Sequence, residues 1–171
     1  MRLFDVVDMA DGVDSALASR LGFSMVYAMG RDIYVTQQPR QQGKNQIVCS
    51  KDTALLMKAI RNQEVIGISF EDNEIIAKVL AAAREAEKPV VVNISCIFAP
   101  RVSERYRNIG RIRGLVRAAM IARCNITFIS GAKSADYLLS TNQLVEIAMF
   151  LGMPEDKAKR ALAIMGDCVD S

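Results

Sequence analysis

Residues 101–123 hold seven arginines and a single acid, Glu104. Arg105, Arg107, Arg111, Arg113, Arg117 and Arg123 interleave with Ile109, Ile112, Val116, Ala119 and Met120. That spacing predicts an amphipathic helix with cations outside and aliphatics inside. Arg107 and Arg111 are four apart, as are Arg113 and Arg117, so each pair shares a helix face. A guanidinium is a planar fork of donors that matches phosphate oxygens, so such a pair can clamp successive phosphates. The plainer alternative is a solvated outer face, where amphipathic helices normally put their charge. With one acid beside seven arginines there is little internal neutralisation, and contact with RNA or a protein partner is the stronger reading.

A second anion-binding candidate is Ser130-Gly131-Ala132-Lys133, which follows the apolar run Ile126–Ile129. Small residues after a strand let backbone N–H groups approach an anion, although such loops also simply turn the chain. Acid–base chemistry has poorer material. The sequence has no histidine, the side chain that titrates near neutral pH. Asp5, Asp8 and Asp11 could form an oxygen-only magnesium site, but a solvated strand end and turn is the expectation. Cys49, Cys96, Cys124 and Cys168 are widely spaced with no Cys-x-x-Cys pair, so they read as buried reduced thiols rather than zinc ligands or disulfides. Met149, Met153 and Met165 read as core filler.

The elements that must position these groups follow from composition and pattern. At 171 residues the chain should form one domain, residues 1–171, with a substantial core. Apolar residues make up 51% while aromatics are only 6%, which favours buried aliphatic strands covered by helices. Strands are expected at Leu3–Met9, Ser24–Met29, Asp32–Thr36, Gln46–Cys49, Val65–Phe70, Pro89–Ser95 and Ile126–Ser130. Helices are expected at Val13–Leu21, from Asp52 to Asn62, at Asn73–Glu87, along the arginine segment, at Thr141–Leu151 and at Pro154–Met165. Gln37–Asn45 is a polar loop. Alternating strands and helices predict parallel βαβ units. Pattern alone leaves open whether they form an open doubly wound sheet or a barrel, which at this length must be trimmed. No apolar run reaches the roughly 18 to 20 residues needed to cross a bilayer, and the start lacks a signal-peptide layout. A cytoplasmic protein is expected.

Taken in order, these pieces resemble a known family. They are a strand ending in a small polar residue, a helix with Arg111-Ile112-Arg113, and a strand ending Ile129-Ser130-Gly131-Ala132. Leu151-Gly152-Met153 and a final helix with Ala158, Ala161 and Leu162 follow. From Pro89 to Asp167 the chain is similar to the archaeal and eukaryotic ribonuclease P protein subunit of the thirty-kilodalton type, component three. Phe4-Asp5-Val6-Val7-Asp8 resembles the opening of that family. Where the family has Leu-Arg-Ser-Pro, this chain has Leu138-Leu139-Ser140-Thr141, so that family arginine has no counterpart.

The resemblance implies an α/β fold, a small, incomplete TIM-like barrel of about seven strands with outer helices. It is related to metal-dependent phosphoesterases carrying a His-x-His pair on the first strand. The matching positions are Val7 and Met9, which do not ligate a hard metal. By the same resemblance the chain is a non-catalytic subunit of ribonuclease P, which removes the 5′ leader from precursor tRNA. The implied partners are the ribonuclease P RNA, which holds the magnesium and the active site, and a small ferredoxin-like subunit, component two. The latter pairing is expected as a heterodimer or a dimer of heterodimers, and no cofactor is expected in this chain. Arg105, Arg107, Arg111, Arg113, Arg117, Ser130, Gly131 and Lys133 would then face RNA or the partner. The alternative is a small α/β-barrel enzyme binding a phosphorylated metabolite at Ser130 to Lys133. A generic RNA-binding module is a third possibility.

Overall fold

Short Val/Ile runs fold here into parallel strands. Those at Phe4–Val7, Gln46–Ser50, Val65–Phe70, Val90–Asn93 and Ile126–Ile129 are largely buried, as expected when helices cover a sheet. Those at Met25–Ala28 and Tyr34–Thr36 are partly exposed. The computed structural model describes residues 2–8, 13–29, 32–37, 45–71 and 77–169. Its strands are β1 (Phe4–Val7), β2 (Met25–Ala28), β3 (Tyr34–Thr36), β4 (Gln46–Ser50), β5 (Val65–Phe70), β6 (Val90–Asn93) and β7 (Ile126–Ile129). Its helices are α1 (Ser15–Arg20), α2 (Thr53–Ile60), α3 (Ala77–Glu85), α4 (Val102–Ile121), α5 (Thr141–Phe150) and α6 (Glu155–Val169). Two 3-10 turns, Ser95–Phe98 and Ala135–Tyr137, lie beyond the ends of β6 and β7. The expected order is therefore observed. Helix α6 runs a turn past Met165, and Pro154 precedes its first residue, accepting from the Ala158 N–H at 2.8 Å. Most of the polar loop lies outside the described residues.

Among the described residues all strand pairings are parallel. Strands β1 and β2 form one sheet, and β3-β4-β5-β6-β7 form a second in chain order. Further hydrogen bonds extend both. Met29 bridges Ile33 between β2 and β3. The Gly131 N–H donates to the Val6 carbonyl at 3.0 Å, and the Asp8 N–H to the Ala132 carbonyl at 2.8 Å, joining the end of β7 to β1.

The core has two parts. A smaller cluster of Phe4, Val6, Tyr27, Ile33, Ile47, Ile66, Val91 and Ile129 takes a residue from each strand or from the residue beside it. The larger cluster packs Val48, Ile68, Val92 and Phe128 against Leu56, Leu80, Ile112, Val116, Leu144 and Leu162 of the helices. The register of β4 against β5 shifts between Gln46 and Ile47. At this irregularity Gly67 is required, because a Cβ there would lie 2.6 Å from Cγ2 of Val91.

Helix ends follow the local signals. The Asp52 carboxylate accepts from the Ala54 and Leu55 N–H groups, capping α2. Ser140 and Gln143 form a capping box at α5. That box gives Ser140, in the run that departs from the family pattern, a local structural task. All four cysteines are free. Against the expectation of burial, Cys49, Cys124 and Cys168 are half-buried and Cys96, on the 3-10 turn beyond β6, is exposed.

Candidate functional site

Helix α4 buries Ile112, Leu115, Val116 and Ala119 against the sheet and leaves its arginines outside. Arg107, Arg111, Arg113 and Arg117 are all exposed. Among the described residues the only ion pair on this helix is Arg101 with Glu104, at 3.6 Å. The remaining arginines keep their charge unneutralised.

They stand on two ridges. Val102, Tyr106, Gly110, Arg113, Arg117 and Ile121 recur every three or four residues and are all exposed. Arg107 and Arg111 lie about a third of a turn around the helix. The Arg113 guanidinium sits 5.3 Å from the ring centre of Phe150 at the end of α5, a cation–π contact. Met149, expected in the core, is 43% exposed beside Phe150, while Met153 is buried.

Arg105 belongs elsewhere. Its Nε–H donates to the Ala99 carbonyl, which turns it toward the ends of β6 and β7. There a cavity of about 820 Å³ is lined by Ser95, Phe98, Arg105, Ser130, Gly131, Lys133 and Tyr137, with Ala99, Pro100 and Ala132. Four of the residues singled out from sequence thus meet in one cavity, and four stand on the open face of α4.

The loop that shapes this cavity is tightly specified. Gly131 has φ +58, and a Cβ there would lie 2.6 Å from Oδ1 of Asn93. Only glycine satisfies both demands. Three of the loop's backbone donors are already engaged, which leaves it little backbone with which to cradle an anion. The Ser130 N–H bonds Asp5 Oδ1 at 2.8 Å, the Gly131 N–H bonds Val6, and the Ala132 N–H bonds Ser130 Oγ at 3.3 Å. The cationic side chains at this cavity are those of Lys133 and Arg105. Ser130 and Gly131 set the shape.

Asp5 contradicts the expectation of a solvated strand end. It is 1% exposed, and its Oδ1 accepts from the N–H groups of Val6 and Ser130. Oδ2 is buried without a hydrogen-bond partner. Burial pushes the carboxyl up to about 6, against the opposing pull of the Ser130 hydroxyl and of the two backbone donors. Asp8 is exposed; Asp11 and Met9 lie outside the described residues. No three His, Cys, Asp or Glu side chains gather into a metal-ligand set among the described residues.

Sequence reasoning missed Phe98 and Tyr137. They are 44% and 63% exposed and carried on the two 3-10 turns. An available signal was an aromatic within ten residues of each strand end, in a chain with few aromatics.

No family model matches the chain, and no curated protein matches it. Among solved structures, it is similar to a chain of the cryo-EM structure of archaeal ribonuclease P with mature tRNA. The TM-score is 0.71 at 14% identity, covering 98% of this chain and 81% of that one. It is also similar to an uncharacterised protein of known crystal structure, with a TM-score of 0.54 at 13% identity. That match covers 96% of this chain, which spans about half the neighbour's length, 48%. At these identities the likeness is one of fold. No helix among the described residues is long and apolar enough to cross a membrane.

Proposed function

We propose that this chain is a non-catalytic protein subunit of ribonuclease P, corresponding to component three and acting in the cytoplasm. The observation that carries the reading is α4, where Arg107, Arg111, Arg113 and Arg117 are exposed with no carboxylate partner among the described residues. A row of unpaired guanidiniums is suited to the phosphates of a folded RNA, where each neutralised phosphate releases counterions. The fold supports it, since nearly the whole chain matches a chain from a ribonuclease P assembly.

We read the architecture as an incomplete TIM-like barrel with outer helices, a single domain. The parallel strands in chain order, the bonds from the end of β7 to β1, and an inner cluster fed by every strand support that reading. The sequence lacks histidine and carries Val7 where the related phosphoesterases carry a metal ligand. Catalysis is therefore assigned to the RNA and its magnesium, with this protein screening phosphate repulsion. The ridge of Val102, Tyr106 and Ile121, with Phe150 alongside, leaves large apolar side chains in water. Such a patch calls for a cover, and component two is the proposed one.

Reconstitution tests this. Precursor tRNA should be cleaved by ribonuclease P RNA with its protein subunits at low magnesium only when this chain is included. Arg107→Ala with Arg111→Ala should lose more activity at low than at high magnesium, because added magnesium replaces the missing screening. A chain that neither joins the RNA–protein assembly nor alters cleavage would overturn the reading.

A further inference from the structure

The cavity at the ends of β6 and β7 has a composition that the other described cavities lack. Phe98 and Tyr137 bring two solvent-exposed rings to its lining, and Arg105 and Lys133 add two cations. None of its lining residues is acidic. Asp8 and Asp136 border the loop without lining the cavity. By contrast, the cavity at the opposite strand ends includes Glu64 and Glu87. The one near Arg123, Lys157 and Arg160 has no aromatic residue.

The walls are held in place. The Asn108 side chain donates to the Cys96 carbonyl at 2.7 Å, and Arg105 donates to Ala99, so α4 pins the turn that carries Phe98. On the other side, the bonds of Ser130 and Gly131 to β1 fix the loop from which Lys133 projects. An aromatic platform beside cations is how proteins grip an unpaired nucleotide: the base stacks on the ring and the phosphate meets the cations. The volume, about 820 Å³, falls within the roughly 300–1,000 Å³ of small-ligand clefts.

We propose that this cavity binds an unstacked nucleotide of single-stranded RNA, with the base on Phe98 and Tyr137 and the phosphate between Arg105 and Lys133. The assignment rests on the RNA-binding reading above and names what this part of the molecule would take. Helix α4 meets phosphates of any fold, whereas this cavity selects a base that is free to enter. A free mononucleotide shares the chemistry, and chain length separates the two sources.

The test is fluorescence anisotropy on the full chain with a labelled single-stranded RNA pentanucleotide, and with the same sequence as a hairpin duplex. AMP, UMP and inorganic phosphate serve as competitors. The single strand should bind at least about tenfold more tightly than the duplex, since stacking needs an exposed base face. Phe98→Ala and Tyr137→Ala should each weaken it about tenfold, and Phe98→Tyr should retain binding. Lys133→Ala should flatten the salt slope by about 0.7, the single-strand value for one phosphate. Arg105→Gln should weaken binding as well. Circular dichroism reports folding; if Phe98→Ala fails to fold, Tyr137→Ala on its exposed turn decides alone.

Normal binding by both aromatic variants, or equal affinity for duplex and single strand, would overturn the proposal. AMP as effective as the pentanucleotide would overturn RNA as the ligand. Two results separate this from the wider reading. Normal pentanucleotide binding by the pocket variants, with ribonuclease P RNA binding abolished by Arg107→Ala with Arg111→Ala, sinks the pocket alone. Pocket-dependent binding by a chain that never joins the holoenzyme sinks the ribonuclease P reading alone.

Discussion

The strand-end cavity has no acid in its lining, and the open face of α4 has no carboxylate paired to Arg107, Arg111, Arg113 or Arg117 among the described residues. Both present cations, yet they are built in opposite ways. The cavity is assembled from parts far apart in sequence. Asp5 reaches Ser130 across 125 residues, and Gly131 presses against Asn93 with no room for a methyl group. The α4 arginines need only a helix with one buried stripe. A concave site made of interlocking buried groups should fail through the fold, whereas a convex row of exposed charges should fail through binding alone. The contrast separates where stability is invested from where charge is displayed.

The largest expected effect is at Asp5. Its folded carboxyl titrates near 6 instead of 3.8, so the folded state favours the neutral form. Its contribution is full below about pH 4 and is lost as pH rises through 6. Over that window the loss approaches roughly 3 kcal/mol, at 1.36 kcal/mol for each pKa unit. Asp5→Asn should therefore gain stability relative to wild type as pH is raised from 4 to 7, in denaturant melts at each pH. A constant difference across that range would show that Asp5 is not the buried titrating group of the seam.

Next comes Gly131→Ala, which meets both a left-handed backbone and the Asn93 side chain. A loss of about 2 kcal/mol is expected from strain and overpacking. Urea unfolding at pH 7 measures it, and a neutral result would mean that Asn93 swings aside freely.

The apolar ridge of α4 provides a milder test. Ile121→Asp, at an exposed position, should leave thermal unfolding nearly unchanged. It should weaken association with component two by about tenfold, or 1.4 kcal/mol, as read by calorimetry. Unchanged affinity would remove this ridge from the protein interface.

The smallest effect on the fold is at Arg107 and Arg111. Replacing both with Ala should move stability by no more than about 1 kcal/mol, as for exposed charges generally. The salt slope of RNA binding should fall by about 0.7 to 0.9 for each arginine removed. A large stability loss with an unchanged slope would make these arginines structural and erase the contrast with the cavity.

Much of this was legible in the residues. The Val65–Phe70 run is a strand over the expected span, and Asp52 caps α2 as its type suggests. The buried stripe of α4 follows the 3.6-residue period. Exposure of its arginines follows from the same pattern. The burial of Asp5 was not legible, because an aspartate near a chain start looks the same whether or not another strand covers it. Nor was the division of the arginines, since Arg105 and Arg107 are separated only by what each helix flank meets.

By itself, the sequence determined the order of strands and helices, the cationic face of α4 and the lack of imidazole chemistry, since each depends on residue type or local period. Only the tertiary structure decided that Ser130, Gly131 and Ala132 use their backbone donors internally and that Lys133 and Arg105 meet at one cavity. Only there do Phe98 and Tyr137, 39 positions apart by number, come to line one cavity. Periodicity records which way a side chain faces on its own element, whereas a site made between elements depends on how their ends meet in space.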